Sequence, residues 1–435
     1  MKYSLLFFLT CLLALNLFPA NSQAQWIQTN AGLTQTRVFA FAVAGTDLFA
    51  GANGGVVFRS TNSGTSWTPV HTSISSTTVL SLAVSPNGAG GTNLFAGIYG
   101  DGVFRSTDSG TSWTAASTGL TTIYIRVLAV SPNGAGGTNL FTATMAGVFL
   151  STNSGDSWTA ASTGLTSIYP TSFAVSPNGS GGTNLFVGDD SGVSISSNNG
   201  TGWSSVNSGL TDRNVQALAV SANGAGGTNL FAGTFLGGVF LSTNNGTSWT
   251  AINSGLTTTT VFSLAVSPNG AGGTNLFAGT TGGVFLSTNN GTNWSVASTG
   301  LPANTDVRAL AVSGTNLFAG TYGSGVWRRP LSEMVTSVPA GGGETNIPAH
   351  FSLDQNYPNP FNPATTISFS LPSRSFVSLN VFDALGEEVA VLLSEECPAG
   401  TYARLWNSTG LASGVYFYRL QAGSFVETKK LVLLR

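Results

Sequence analysis

Four aspartates and a handful of arginines and tyrosines hold most of the chemistry available to this chain. Charged residues make up 7% of its 435 residues, against a usual figure of about 25%, so a charge in a loop is a marked choice. Asp189 with Asp190, or Asp212 with Asp306, offers the two carboxylates that glycoside cleavage needs, one as acid and the other as base or nucleophile. Adjacent aspartates on one turn also make a solvated tip, or a weak calcium site with nearby carbonyls. Arg37, Arg126 and Arg308, taken with Tyr99, Tyr124, Tyr169 and Tyr322, suit a ligand-binding surface instead, since aromatic and arginine side chains are enriched where proteins meet partners. His71, His350 and Cys397 make no zinc set. His71 is also the only histidine available to a nucleophile before residue 330, so no metal, cofactor or serine-type chemistry is expected.

These residues sit in a repeat. Six near-identical octapeptides end on Trp67, Trp113, Trp158, Trp203, Trp249 and Trp294, spaced 45 or 46 residues apart. The first runs from Ser60 to Trp67. Each period holds four short extended segments, seen in Val261–Val266, Asn275–Ala278, Gly283–Ser287 and the stretch opening at Trp294. β-Branched and aromatic residues fill them, and Gly, Asn, Ser and Pro clusters separate them. A four-stranded unit of this size is one propeller blade.

Innermost strands are expected near Val38, Val79, Ile125, Thr171, Val215, Val261 and Val307. The outermost type starts early, at Trp26-Ile27-Gln28, which no octapeptide precedes, and the last repeat lacks its own. The expected fold is therefore all-β: a seven-bladed β-propeller closed by the N-terminal strand, leaving no free sheet edge at the seam, followed by a small Ig-like β-sandwich.

In such a blade, loops alternate between two ends. The loop Ser85–Gly91 returns almost unchanged at Ser131, Ser176, Ser221 and Ser267. No lysine follows it and no helix begins there, so its glycines read as turn chemistry rather than a phosphate cradle. At the other end the repeats disagree. All four tyrosines fall there with Arg37, His71, Asp101, Asp189, Asp190, Asp212, Arg213, Phe235 and Asp306. One equivalent position holds Phe39, Leu80, Arg126, Thr171, Gln216, Phe262 and Arg308. Variable loops on a rigid scaffold are where function concentrates.

The octapeptides resemble Asp-box (BNR) repeats, the hairpin motif of sialidase-like and related propellers, and the whole is similar to photosystem II assembly-factor-like propellers. Asn replaces Asp in five of the six boxes, at Asn62, Asn153, Asn198, Asn244 and Asn289. That keeps a hydrogen-bond acceptor and drops the charge, as a folding device would. A sialidase would need an arginine cluster, which Arg37, Arg126 and Arg308 could mimic, but also a tyrosine paired with a carboxylate, commonly Glu. No Glu precedes Glu333. Other Asp-box propellers cleave xyloglucan with paired aspartates, so the resemblance implies two functions: a non-catalytic module for a glycan or protein ligand, or a glycoside hydrolase.

Lys2, the apolar run Leu5–Phe18 and the exit Ser22-Gln23-Ala24 describe a secretory signal peptide over residues 1–24. No other stretch is long and apolar enough to span a bilayer. With a net charge of −2 and lysines only at Lys2, Lys429 and Lys430, there is no basic stripe for nucleic acid. Only Cys397 follows Cys11, so the exported chain is expected to stand without a disulfide.

Residues 25–330 form the expected propeller and 331–350, with Ala340-Gly341-Gly342-Gly343 between prolines, a linker. Residues 351–435 resemble the type A C-terminal sorting domain of the type IX secretion system. The resemblance rests on Tyr357-Pro358-Asn359-Pro360-Phe361-Asn362-Pro363, on Gly414 in Ser413–Leu420, and on Lys429-Lys430 in the terminal block. It implies handling by that secretion machinery, passage across an outer membrane, and a place at the cell surface or in the medium.

Overall fold

The computed structural model describes residues 25–334 and 348–433, apart from 73–76, 88–90, 134–136, 168, 179–181, 224–226, 270–273, 349, 357, 358, 360, 362, 363, 398 and 409. The signal peptide and most of the linker lie outside the described residues.

Before Met334 the strands form seven four-stranded antiparallel sheets. Sheets one to six, with first strands Val38–Ala44, Thr78–Pro86, Ile125–Pro132, Ser172–Pro177, Val215–Ala222 and Val261–Pro268, each run in chain order through four strands. The seventh comprises Val307–Ser313, Asn316–Thr321 and Val326–Pro330, and its fourth strand is Ile27–Gln28, with Ile27 opposite Arg328 and Gln28 opposite Trp327. First strands of consecutive sheets pack together, and Val38–Ala44 packs on Val307–Ser313. The second strands are buried on both faces, each with a fully buried phenylalanine such as Phe49, Phe95 or Phe141, which explains their near-continuous Leu-Phe-Ala sequences.

The octapeptide builds a hairpin and fastens it to the sheet before it. Ser60 Oγ accepts the Gly64 N–H at 2.9 Å and donates to Asn62 Oδ1, which accepts the Ser66 N–H at 2.9 Å. Ser63 and Gly64 both have positive φ, 54° and 77°. A side chain on Gly64 would strike Phe318 of the seventh sheet, so glycine is required twice over. Each tryptophan then donates its indole N–H to a carbonyl of the preceding sheet: Trp158 to Ala116 at 2.7 Å, Trp203 to Ala161 at 2.8 Å, Trp67 to Thr29 at 2.8 Å. Trp26, which has no octapeptide, does the same to Ala297 at 2.7 Å and is 2% exposed.

Leu331–Met334 is one helical turn packed on the end of the seventh sheet, with Met334 buried. Leu331–Met334, expected as the start of the linker, are instead part of this packed turn. Farther on, Ser352–Leu353, Ala364–Leu371 and Gly400–Asn407 form one sheet, and Ser375–Phe382, Glu388–Cys397, Gly414–Ala422 and Phe425–Leu433 form a second. They enclose a core that includes Phe369, Leu379, Trp406, Tyr418, Leu431 and buried Cys397.

Candidate functional site

In six of the seven sheets the first strand carries an extra residue at its second or third position. The register slips between Val38 and Ala40, Val79 and Ser81, Ile125 and Val127, Val215 and Ala217, Val261 and Ser263, and Val307 and Ala309. The skipped residues are Phe39, Leu80, Arg126, Gln216, Phe262 and Arg308. A bulge re-aims a side chain out of the alternation of its strand. In the fourth sheet pairing begins instead at Ser172, and Thr171 donates to the carbonyls of Gly188, at 3.0 Å, and Val215.

Four sheets contribute to a continuous ladder of rings and guanidinium groups. Phe235 and Phe262 have centroids 6.4 Å apart. Arg308 Cζ lies 3.7 Å from the Phe262 centroid and 5.1 Å from that of Tyr322. Arg37 Cζ sits 4.5 Å from the Tyr322 centroid, and the Phe39 ring meets Tyr322 edge-on at 5.9 Å. Backbone bonds fix the parts: Arg37 bridges Tyr322, and the Tyr322 N–H reaches the Asp306 carbonyl at 2.9 Å. Tyr322 and Phe235 remain 45% and 41% exposed. Guanidinium over an aromatic face is worth about 0.5–1 kcal/mol when exposed and about 2 kcal/mol when desolvated.

Tyr99 and Tyr124 form a second pair, 5.1 Å apart, with the Tyr99 hydroxyl 3.3 Å from Met145 Sδ. No hydrogen bond or ring contact among the described residues joins Arg126 or Tyr169 to either group. Arg126 is half-buried with its Nε unpartnered, and Tyr169 is exposed. His71 belongs to packing: its ring lies against Phe104 and Trp113, and burial lowers its pKa against the opposing pull of Asp101.

The four carboxylates do not converge. Asp189 is buried and Asp190 exposed, so the adjacent pair is not the solvated tip that its sequence suggests: Asp189 ends the buried second strand and only Asp190 enters the turn. Asp212 Oδ2 accepts the N–H groups of Leu236 and Gly237 at 2.8 and 2.7 Å, and Oδ1 that of Asn214 at 3.0 Å. Burial pushes the Asp212 carboxyl up, but these amides and the Thr234 hydroxyl together hold it below the usual range. Asp306 is paired with Arg308 at 2.6 Å.

In the C-terminal unit, the opening block is clamped to the last strand. Asn359 Oδ1 accepts the Val432 N–H at 2.9 Å, the Phe361 N–H reaches the Val432 carbonyl at 3.0 Å, and buried Phe361 packs on Trp406. Tyr418 donates to the Asp354 carbonyl and accepts the Asn356 N–H, while burial pushes its hydroxyl up to about 12. Lys429 pairs with Glu427 at 3.1 Å and Lys430 is exposed. Nothing lies close enough to Gly414 to exclude a side chain. Tyr357, Pro358, Pro360, Asn362 and Pro363 lie outside the described residues.

No curated protein matches the sequence. Among solved structures, the fold is similar to PorZ, a bacterial surface component of the type-IX secretion system of Porphyromonas gingivalis, at 17% identity and a TM-score of 0.52; 93% of this chain covers 60% of that one. It is also similar to YCF48 bound to D1 peptide, at 15% identity and 0.53, over 72% of this chain and 98% of the other. A third is the extracellular domain of the putative hybrid two-component system BT3049 from B. thetaiotaomicron, at 13% and 0.56, over 94% and 57%. The chain thus spans about 60% of the length of the first and third. At these identities the likeness concerns the fold, a β-propeller.

Residues 355–434 match the family described as secretion system C-terminal sorting domain. Such a domain marks its carrier for export through the outer membrane to the cell surface or the medium, and among the described residues no helix is long and apolar enough to cross a membrane. An exported β-propeller thus precedes residues 355–434, and those residues are a C-terminal sorting domain.

Proposed function

We propose that the seven sheets are the blades of a closed ring and that the ring is a non-catalytic binding module for an extracellular glycan or protein. On this reading the export domain delivers residues 25–334, and the ligand lies across Phe235, Phe262, Arg308, Tyr322, Arg37 and Phe39. The observation that carries it is the ring and guanidinium ladder, built from four sheets, half-exposed, with Phe39, Phe262 and Arg308 at bulged positions. Flat faces beside fixed cations suit sugar rings or aromatic and acidic side chains.

Hydrolysis is disfavoured by the carboxylates. Asp212 is occupied by amides, Asp306 by Arg308, and Asp189 is buried, which leaves Asp190 without an opposed partner.

The test is a screen of the purified protein against polysaccharides and peptides, scored for retention and for release of reducing ends. Arg308→Ala and Arg37→Ala should each weaken retention by about 1–3 kcal/mol, the scale of a hydrogen bond to a charged group, without product release from either form. Binding indifferent to both arginines would refute the assigned surface. Reducing ends lost on Asp190→Asn or Asp306→Asn would establish the hydrolase instead.

A further inference from the structure

Near the end of the seven second strands one equivalent position, the last residue in all but the second sheet, is held by Ala52, Ile98, Thr144, Asp189, Thr234, Thr280 and Thr321. Wherever the residue is threonine, its buried hydroxyl works twice. It donates to a carbonyl of the turn that follows, from Thr144 to Gly147 at 3.1 Å, Thr234 to Gly238 at 3.1 Å, Thr280 to Gly283 at 3.0 Å and Thr321 to Gly325 at 2.9 Å. It also accepts a turn amide, from Ala146, Gly237, Gly282 and Ser324 at 2.9–3.0 Å.

Asp189 takes this place with 1% exposure. Its Oδ1 reproduces the accepting half, taking the Ser191 N–H at 2.6 Å, but Oδ2 has no partner. A carboxylate has only acceptors, whereas a carboxylic acid carries the O–H that the threonines use. The carbonyl at the matching place is that of Gly192, which stands opposite Asp189 in the ladder.

We propose that Asp189 is a neutral carboxylic acid in the folded protein, replacing the threonine hydroxyl, and that its ionisation is a pH-sensitive latch on the turn Asp190–Gly192. Burial raises its pKa first and outweighs the Ser191 amide, which opposes it; Asp190 adds to the rise, and the Gly192 amide opposes it more weakly. The other charges on packed elements are few. Arg213, on the connection into the fifth sheet, shares with Ser191 and Asn207 a cavity of about 450 Å³. Asp212 beside it is engaged by amides. Arg126 lies on the first strand of the third sheet, which approaches the Asp189 strand. Asn207 holds the turn from outside, donating to the Ser191 carbonyl at 3.2 Å and accepting the Val193 N–H at 2.7 Å. Loss of the proton therefore loosens the wall of that cavity at Ser191.

The experiment follows ¹³Cγ resonances of aspartate-labelled full-length protein through pH 3–9, the Asp189 signal being the one absent from Asp189→Asn. Its midpoint should lie above the ordinary carboxylate range near ~3.9. The sign for stability follows from linkage. The fold retains the proton longer than the unfolded chain, so stability falls as pH rises from the unfolded value through the folded one. Asp189→Asn and Asp189→Thr keep both a donor and an acceptor and do not titrate. Their melting temperatures should gain on the parent by roughly 3 °C per unit of pH across that window, then hold a constant lead. An Asp189 midpoint at or below the ordinary range overturns the proposal, as does a stability difference that does not change with pH.

Discussion

Replacing Trp26 by alanine distinguishes a closed ring from an open row of sheets. In the structure its indole is 2% exposed among Ala297, Leu317 and Trp327. The indole N–H reaches the Ala297 carbonyl at 2.7 Å and the backbone N–H the Thr299 carbonyl at 2.9 Å. Trp158 makes the same two bonds, to Ala116 and Thr118. Emptying a buried aromatic site costs about 3–5 kcal/mol. The lost indole bond adds about 1 kcal/mol and no more, because Arg329 still donates to Ala297 at 3.2 Å. The total of about 4–6 kcal/mol corresponds to a fall in melting temperature on the order of 10 °C.

The assay is thermal and guanidinium unfolding followed by circular dichroism, with Trp158→Ala and Trp249→Ala as internal references. Trp26→Ala should match them within about 1 kcal/mol, and deleting residues 25–31 should do more damage, since Thr29 and Ala31 also supply the carbonyls that hold Trp67. If Trp26→Ala loses under about 1 kcal/mol while the references lose several times that, the seam is not closed as drawn.

Removing Lys429–Arg435 takes away half of the strand Phe425–Leu433, including fully buried Leu431 and Leu433. Fractionation of the native host should find the truncated protein in the periplasm, and unchanged levels at the surface or in the medium would contradict the export role. Asp212→Asn should lower the melting temperature at pH 7. The carboxyl is held below its unfolded value, so its contribution is complete above about pH 4 and is lost as pH falls through the folded value. The variant and the parent should therefore converge in acid, and a gap of constant size would show that charge is not what the turn uses.

The sheets were legible because their chemistry repeats. Strand positions, the hairpin box and the anomaly at Trp26 are all visible as types at fixed spacing, and all seven expected first-strand openings fall within one residue of the observed ones, with Val79 one residue after Thr78 and Thr171 one residue before Ser172. The candidate site was legible only as a list. Arg37, Arg308 and Tyr322 were singled out separately, and the structure brings them together, but Phe262 and Phe39 became partners only through bulges. A bulge adds one residue and breaks alternation, which a strand sequence does not announce. Phe235 carried a weak signal as an aromatic in a loop. Adjacent acids suggest water at Asp189, whereas its place in line with Thr144, Thr234, Thr280 and Thr321 is what marks its burial.

The arginine that follows the third-strand aromatic gives the junctions unequal strength. Arg105 reaches the next hairpin at Ser154 O and Asp156, and Arg328 reaches Ser63 O, while Leu150, Leu241 and Leu286 stand at the same place in other sheets and have nothing to offer a carbonyl. The Arg328 bond, to the first sheet, spans 265 residues, and the Trp26 indole bond, which ties the borrowed strand to the sixth sheet, spans 271, where Trp158 and Trp203 span 42. Bringing together ends that far apart costs roughly 1.6 kcal/mol more chain entropy than a local junction. In the proposed ring the seam is thus the joint with the largest chain-entropy cost, which a borrowed strand and an arginine clasp offset. Moving the termini to another connection between sheets would relocate the weak joint without altering a single contact.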